Sequence, residues 1–232
     1  SFSFTLADAI LVYAGDSNDQ IIVDADLGVD VRIDGMLGTD TLIVDGKNAA
    51  HVVYTPNANS PVGVDLVPSF GGTIMVDSSS IFFENFETTG AVSIENVNTV
   101  SYVTPLAGAD NLIVGLTTGD VPQVSGTVND GSVMVPLLLP TVNRLAVYTG
   151  PANDTLTVDS TNGLVDFLYG ISFNGGMGFD ELRFMQTGGP THTSTTYSVG
   201  PNPGQGTHEI VGATATQTVY FENLEPVIDL AP

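Results

Sequence analysis

Short runs of alternating apolar and polar residues follow one another along the chain. The recurrent pattern is Asp-x-(Ile/Leu)-x-(Val/Phe), which begins at Asp19, Asp40, Asp110, Asp154 and Asp180. Its two apolar positions are two residues apart, so in a strand both side chains point to one face. Each copy follows a turn of glycine or small residues, where an aspartate can bond nearby backbone amides. The pattern predicts a strand after each aspartate, and no long segment has the helical period of 3.6 residues.

Larger segments of the chain also repeat. The first copy of each lies within the first hundred residues, and its counterpart follows 135 to 140 residues later. The matching pairs are Leu11–Asp24 with Ala146–Asp159, Gly35–Val44 with Gly175–Phe184, and Phe83–Glu87 with Phe221–Glu225. We therefore predict a first long β module at 1–99, a short middle repeat at 100–141, and a second long β module at 142–232.

The repeats favour an all-β fold of stacked units. A second motif, apolar-Glu-Asn-apolar, recurs at Phe83–Phe86, Ile94–Val97 and Phe221–Leu224. Strand-turn units that recur every 10 to 30 residues are typical of a β-solenoid, a parallel β-helix-like stack of degenerate repeats, in which each unit buries its apolar face on the next. The alternative is two tandem antiparallel β-sandwiches, which the pattern of short alternating strands also allows.

Charge and composition narrow the classes of partner. Four basic residues stand against 26 acidic ones, and the net charge of −22 repels nucleic acid and anionic lipid alike. The chain has no cysteine, which excludes disulfides and thiolate metal sites. The longest apolar stretch, Val133–Leu139, is interrupted by Pro136, so we predict no membrane insertion. Because the chain begins at Ser1 without methionine, we expect a mature or excised segment of an exported protein.

One stretch resembles a known family of repeats. Gly175-Gly-Met-Gly-Phe-Asp-Glu-Leu-Arg183 is similar to the nonapeptide of hemolysin-type calcium-binding repeats in secreted bacterial proteins, and Gly35–Ile43 is a near copy. In that family, aspartates and backbone carbonyls hold calcium between the turns of a parallel β-roll. The whole chain looks like the degenerate Gly/Asp-rich repeats of large bacterial extracellular and surface proteins. The resemblance implies a secreted or cell-surface protein with calcium as the ligand of its turns.

Calcium is the only cofactor that the residues themselves favour. Asp24, Asp26 and Asp30 alternate in an acidic, glycine-containing loop, and oxygen ligands at alternating positions suit Ca²⁺. Together with Asp180 of the nonapeptide, they are the predicted metal ligands. The loop is not an EF-hand, because its twelfth position is Gly35 rather than a bidentate Glu.

No catalytic constellation is predicted. Ile10–Ser17 is similar to the opening of serine esterases with a Gly-Asp-Ser nucleophile block, but no Asp-x-x-His is present to activate the serine. The three histidines, His51, His192 and His208, are expected at the surface, in polar loops. We therefore predict that the chain is not an enzyme.

The predicted function is an extracellular structural or adhesive repeat module, such as a subunit of a surface layer, filament or stalk. Its terminal segments, Ser1–Leu6 and Pro226–Leu230, have the pattern of strands that can pair across subunits. The expected partners are a second copy of the chain or another extracellular protein or glycan. Two alternatives are a glycan- or protein-binding module and a polysaccharide-degrading β-helix enzyme.

Overall fold

The predicted all-β class is confirmed. A computed structural model describes residues 9–60, 69–77, 79–87, 91–104, 107–187, 191–225 and 227–230. These residues form nineteen strands and one short 3-10 helix at Ala25–Leu27. None of the described helical structure is long and apolar enough to cross a membrane. The strands are β1 Ala9–Tyr13, β2 Gln20–Asp24, β3 Asp30–Asp34, β4 Thr41–Ser60, β5 Ser69–Val76, β6 Ser79–Phe86, β7 Ala91–Val103, β8 Asn111–Leu116, β9 Pro122–Val128, β10 Ser132–Val133, β11 Leu137–Leu138, β12 Val142–Tyr148, β13 Thr155–Asp159, β14 Ile171–Asn174, β15 Glu181–Met185, β16 His192–Val199, β17 Gly206–Gly212, β18 Thr216–Glu222 and β19 Val227–Leu230.

The five predicted strands are all present. β2, β4, β8, β13 and β15 each begin one residue after an aspartate of the motif. The two apolar residues of β13, Leu156 and Val158, are fully buried, whereas Thr157 between them is only partly buried. In β15 the intervening Arg183 is exposed. The period of two therefore predicted both the strands and the face that each one buries.

All nineteen strands belong to one hydrogen-bonded network, which contains two long runs of neighbours. Two strands, β4 and β7, belong to both runs, because each pairs through its first half in one run and through its second half in the other. Run I is β1, β3, β6, β5, the second half of β4, the second half of β7, β12, β14, β18, β17 and β16. Run II is β2, the first half of β4, the first half of β7, β11, β9, β8, β13, β15 and β19, with β10 beside β9.

Most neighbouring strands are parallel, and similar residues lie opposite one another on adjacent strands. Leu112, Leu156 and Leu182 are aligned across β8, β13 and β15, and all three side chains are buried. The chain passes from a strand of run I through a turn to a strand of run II, and the next such unit pairs beside it. The mostly parallel pairing does not fit the alternative of two antiparallel sandwiches, in which neighbouring strands would be antiparallel.

The two runs pack against each other over one hydrophobic core. The buried apolar residues of both runs form a single contiguous cluster. Phe184 of run II stacks on His208 of run I, with ring centroids 3.9 Å apart. Nearby, the Ser160 hydroxyl donates a hydrogen bond to the buried Gln217 side chain. The turns that connect the runs therefore lie along the side of this core.

Two sequence predictions fall at the ends of the chain. Ser1–Leu6 lies outside the described residues. Of Pro226–Leu230, the part from Val227 to Leu230 is strand β19, which pairs with β15. The division into modules at 1–99, 100–141 and 142–232 stays a prediction.

Candidate functional site

Three of the predicted calcium ligands lie around the short 3-10 helix. Asp24 precedes this helix and its Oδ1 lies 3.0 Å from Lys47 Nζ, while Asp26 lies within the helix. Asp30 begins β3 and accepts hydrogen bonds from the Ser80 amide and hydroxyl, each at 2.9 Å. The Ser80 amide is also the main reason why the pKa of Asp30 is lowered. Two of these carboxylates are therefore already engaged by protein groups.

The fourth predicted ligand, Asp180, is in a different environment. It is fully buried at the start of β15, and its carboxylate accepts the backbone amide of Asp154. Across the described residues, no group of three or more histidines and acids is arranged to hold a metal ion. Calcium binding at Asp24, Asp26, Asp30 and Asp180 stays a prediction.

The motif aspartates form hydrogen-bonded ladders along the turns between the two runs. The first carboxylate ladder consists of Asp19, Asp40 and Glu87. The Asp19 amide donates to Asp40 Oδ1 at 2.8 Å, and the Asp40 amide donates to Glu87 Oε2 at 3.2 Å. The Asp40 and Glu87 carboxylates thus each accept the amide of the preceding turn, so these side chains connect successive units.

The second carboxylate ladder consists of Asp110, Asp154, Asp180 and Glu225. The Asp110 amide donates to Asp154, the Asp154 amide to Asp180, each at 2.8 Å, and the Asp180 amide to Glu225 at 2.7 Å. Its first member, Asp110, accepts the amide of Asn129, which lies beyond the end of β9. This ladder is therefore closed at both ends by groups of the chain itself.

The hydrogen-bond partners of the aspartate side chains differ from those expected from the sequence. We predicted that the aspartates would bond amides nearby in sequence, but their partners are 21, 44 and 26 residues away at Asp40, Asp154 and Asp180. Asparagines before the motif reinforce the stacking in the opposite direction: Asn18 accepts the Thr39 amide and Asn153 accepts the Phe179 amide. The aspartates thus bond backbone amides of turns, as expected, but the amides belong to the turns that the parallel strand pairing places next to them rather than to their own.

Burial governs the protonation of these ladders. Asp40, Asp110, Asp154 and Asp180 are at most 1% exposed, and the Oδ2 atom of each is buried. The loss of water raises the pKa of all four carboxyls and brings that of Asp180 to about 6. An amide bound at Oδ1 and a buried Oδ2 suit a structural acceptor, and Asp180, whose pKa is about 6, takes up a proton in mild acid.

Close stacking of the turns also explains the glycine spacing of the motif. Gly38 and Gly178, each two residues before an aspartate of the ladder, have φ values of 144° and 142°. A Cβ atom at these positions would overlap the carbonyl oxygens of Ser17 and Ala152 in the preceding turn. Only glycine provides both the backbone conformation and the space.

The asparagines of the apolar-Glu-Asn-apolar motif lie where the chain changes direction between the runs, and we call these positions corners. Asn85 and Asn223 lie at the ends of β6 and β18, and Asn96 lies between the two halves of β7. Asn85, Asn96 and Asn223 have φ values of 59°, 55° and 57°, in the left-handed region that asparagine tolerates. Asn85 Nδ2 donates to Asp34 at 2.7 Å, and Asn223 Nδ2 donates to Asn174 at 2.9 Å. Sequence reasoning found the motif but missed this role, which the recurrence of asparagine after glutamate could have indicated.

A groove of about 220 Å³ crosses β12, β14 and β18 on run I. It is lined by Tyr148 and Tyr220, which are 42% and 45% exposed, and by Arg144. Asn174 and Glu222 lie in the same lining, and Asn174 Nδ2 donates to Glu222 Oε1 at 2.7 Å. The groove therefore combines two exposed aromatic rings with fixed polar groups.

Ser17 and the three histidines lie on different elements of the described structure. Ser17 lies in an exposed bend, and no hydrogen bond joins it to any histidine of the described chain. His51 lies on β4 and bonds the Ser101 hydroxyl at 2.8 Å, and His192 begins β16. The prediction that the histidines lie in loops was wrong, because all three lie on strands. The prediction of a surface position was wrong for His208, which is 1% exposed on β17 because it packs on Phe184.

The fold and the turns thus define an all-β protein with mostly parallel strands, in which carboxylate ladders link strand-turn-strand units that lie side by side. No family model, no curated protein and no solved structure matches the chain.

Proposed function

We propose that the chain is an extracellular structural or adhesive module, a β-solenoid of degenerate Gly/Asp-rich repeats that forms part of a surface layer, filament or stalk. The observation that carries this proposal is the repetition of one unit along two runs, at whose ends several strands have a single neighbour among the described residues. Among the described strands, β1 pairs only with β3, β2 only with β4, and β16 only with β17. Stacked architectures need a cap or a neighbour at such edges.

The hydrogen bonds between neighbouring units support a structural role. The buried carboxylates of the ladders, those of Asp40, Asp154 and Asp180, accept backbone amides of adjacent turns. These hydrogen bonds connect one unit to the next, as an elongated scaffold requires. The net charge of −22 keeps such a scaffold soluble and repels nucleic acid.

Sedimentation velocity and negative-stain electron microscopy test the proposal. We expect the wild-type chain to form elongated oligomers whose size increases with protein concentration at 0.15 M salt, where charge repulsion is screened beyond about 8 Å. A particle that remains monomeric at all concentrations, with and without calcium, would contradict self-assembly.

Calcium is part of the proposal as a stabilising ligand of the acidic turns. A ligand that binds only the folded state at 100 times its Kd stabilises it by about 2.7 kcal/mol. We therefore expect millimolar calcium to raise the melting temperature more than the same concentration of magnesium, with excess chelator as the baseline. Equal shifts in both metals would mean that Asp24, Asp26, Asp30 and Asp180 bind no calcium and that the cations only screen charge.

The groove on run I supports a second candidate, a glycan-binding module. Tyr148 and Tyr220 offer flat aromatic faces, and Asn174 and Glu222 offer polar groups whose positions their mutual hydrogen bond fixes. A glycan array of the wild-type chain would show binding that Tyr148→Ala and Tyr220→Ala remove. Tyr169→Ala, at a residue that is 55% exposed but does not line the groove, is the matched control.

A further inference from the structure

Two hairpins occupy matching places in run I. The first joins the second half of β4 to β5, and β5 pairs antiparallel with β6. The second joins β16 to β17, and β17 pairs antiparallel with β18. β6 and β18 carry the matching segments Phe83–Glu87 and Phe221–Glu225, and both phenylalanines lie opposite a glycine, Gly72 and Gly206. The hairpins are therefore structural counterparts.

The counterparts differ in what covers their outer edge. The second half of β4 pairs in parallel with β7, from Ala49 opposite Val97 to Tyr54 opposite Tyr102. For β16, no described strand occupies that position, and every residue after His192 is exposed. The first hairpin thus shows which kind of strand the second one lacks.

The tyrosines at matching positions of the two hairpins differ in burial in the same way. Tyr54 stacks on Phe83 with ring centroids 6.2 Å apart, and Tyr197 stacks on Phe221 at 5.8 Å. Tyr54 is fully buried because Tyr102 of β7 covers it, with centroids 5.3 Å apart, whereas Tyr197 is 51% exposed. Tyr197 therefore lies where a further strand would bury it.

The opposite end of run I offers a strand of the required direction. β1, β3 and β6 are parallel, and two antiparallel steps through β5 return the same direction at β4. The strands from β7 to β18 continue it, and two further antiparallel steps through β17 return it at β16. Copies stacked end to end in one orientation would therefore bring β1 of one copy parallel to β16 of the next.

The two edges carry no charge or proline along β1 and along β16 from Ser194 to Val199, although β16 has a bulge between His192 and Ser194. Natural edge strands carry charges, proline or bulges that prevent association. In a chain with a net charge of −22, two uncharged edges are the surfaces that can approach most readily.

We propose that the outer edge of β16 accepts β1 of a second copy of the chain in parallel, as β4 accepts β7 within one copy, and so joins copies head to tail. The proposal rests on the proposed function as an assembling module and specifies the two strands that meet. A head-to-tail contact uses two different surfaces, and therefore continues into a filament instead of stopping at a dimer.

Charged residues that point toward the core from an edge strand block pairing, and this provides the test. Val199→Lys and, as a second variant on the same face, Thr195→Lys should block the β16 edge. Ile10→Lys should block the β1 edge. Ser198→Lys and Leu11→Lys place the same charge on the other face of each strand and are the matched controls.

We expect each blocking variant to be monomeric by sedimentation velocity, while both controls assemble as the wild type does. An equimolar mixture of Val199→Lys with Ile10→Lys should form dimers and nothing larger, because each variant keeps one intact edge. The dimer can form only from folded proteins, so it also excludes misfolding as the cause of monomeric behaviour.

Three results would overturn the proposal. They are assembly of Val199→Lys and Thr195→Lys like the wild type, a mixture that stays monomeric, or equal loss of assembly in the controls. If the wild type assembles in any of these cases, the proposed function survives and only the strand assignment fails. If the wild type never assembles, both fail.

Discussion

Tyr54 and Tyr197 are chemically identical, occupy matching strands and stack on matching phenylalanines, yet one is fully buried and the other is 51% exposed. The difference comes from the strand that follows each hairpin, not from the hairpin itself. The burial of each tyrosine therefore depends on the neighbouring strand, and the same sequence feature forms a core in one place and a surface in another.

Alanine substitution at the two tyrosines should give the largest contrast. Tyr54→Ala leaves a cavity between Phe83 and Tyr102, and we expect it to lower the free energy of unfolding by about 3–5 kcal/mol. Tyr197→Ala removes a half-exposed ring and should lower it by about 1 kcal/mol in dilute, monomeric protein. Urea denaturation measures both values. Equal losses would mean that β7 does not determine the burial of Tyr54.

The carboxylate ladders allow a second comparison, between a carboxylate within a ladder and one at the end of a ladder. Asp154→Ala leaves the buried amide of Asp110 without an acceptor, and we expect a loss of about 1–3 kcal/mol. No described amide donates to the Asp19 carboxylate at the start of the first ladder, so Asp19→Ala should lower the free energy of unfolding by less than about 1 kcal/mol. Denaturant titrations at pH 7 compare the two, and a larger effect at Asp19 would contradict the ladder.

Acid should stabilise the protein through the same carboxylates. The folded pKa of Asp180, about 6, lies above its ordinary value of 3.8, so the folded state binds the proton more tightly than the unfolded chain. This contribution is complete below about pH 4 and is lost as the pH rises through 6. After discounting for solvent screening at the turn, we expect about 1–2 kcal/mol less stability at pH 7.5 than at pH 4.5.

Asp180→Asn is the control for this pH dependence. Asparagine retains an acceptor oxygen for the Asp154 amide but cannot ionise. The slope of stability against pH between 4.5 and 7.5 should therefore decrease in the variant. An unchanged slope would assign the pH dependence to other groups, such as Asp40 or Glu87, whose pKa values burial also raises.

The sequence predicted the parts of the fold that depend on neighbours along the chain. The alternation after Asp19, Asp40 and Asp154 predicted three strands and their buried faces, because a strand's period is a local property. It did not predict that Asp154 binds an amide 44 residues away, or that His208 packs on Phe184. Those contacts depend on which turns and strands stack, which a single sequence does not encode locally.

Asn85 and Asn223 form the most closely matched pair, and the expected difference in stability between their variants is the smallest. Asn85 and Asn223 have nearly the same φ, 59° and 57°, but Asn85 donates to a carboxylate, that of Asp34, and Asn223 to an amide oxygen, that of Asn174. Alanine at either site meets the left-handed strain of about 1 kcal/mol. Hydrogen bonds to charged groups are the stronger ones, so Asn85→Ala should lose about 0.5 kcal/mol more than Asn223→Ala.

Glycine variants separate the two contributions at these corners. Asn85→Gly and Asn223→Gly remove the hydrogen bond but keep the left-handed conformation without steric strain. We expect each to be more stable than the corresponding alanine variant in thermal melts, and the difference between the two sites to persist. If glycine and alanine are equally destabilising at both sites, the hydrogen bond rather than the backbone conformation determines the choice of asparagine. In that case, we expect the hydrogen bond from Asn85 to the Asp34 carboxylate, at 2.7 Å, to stabilise the fold more than the bond from Asn223 to Asn174, at 2.9 Å.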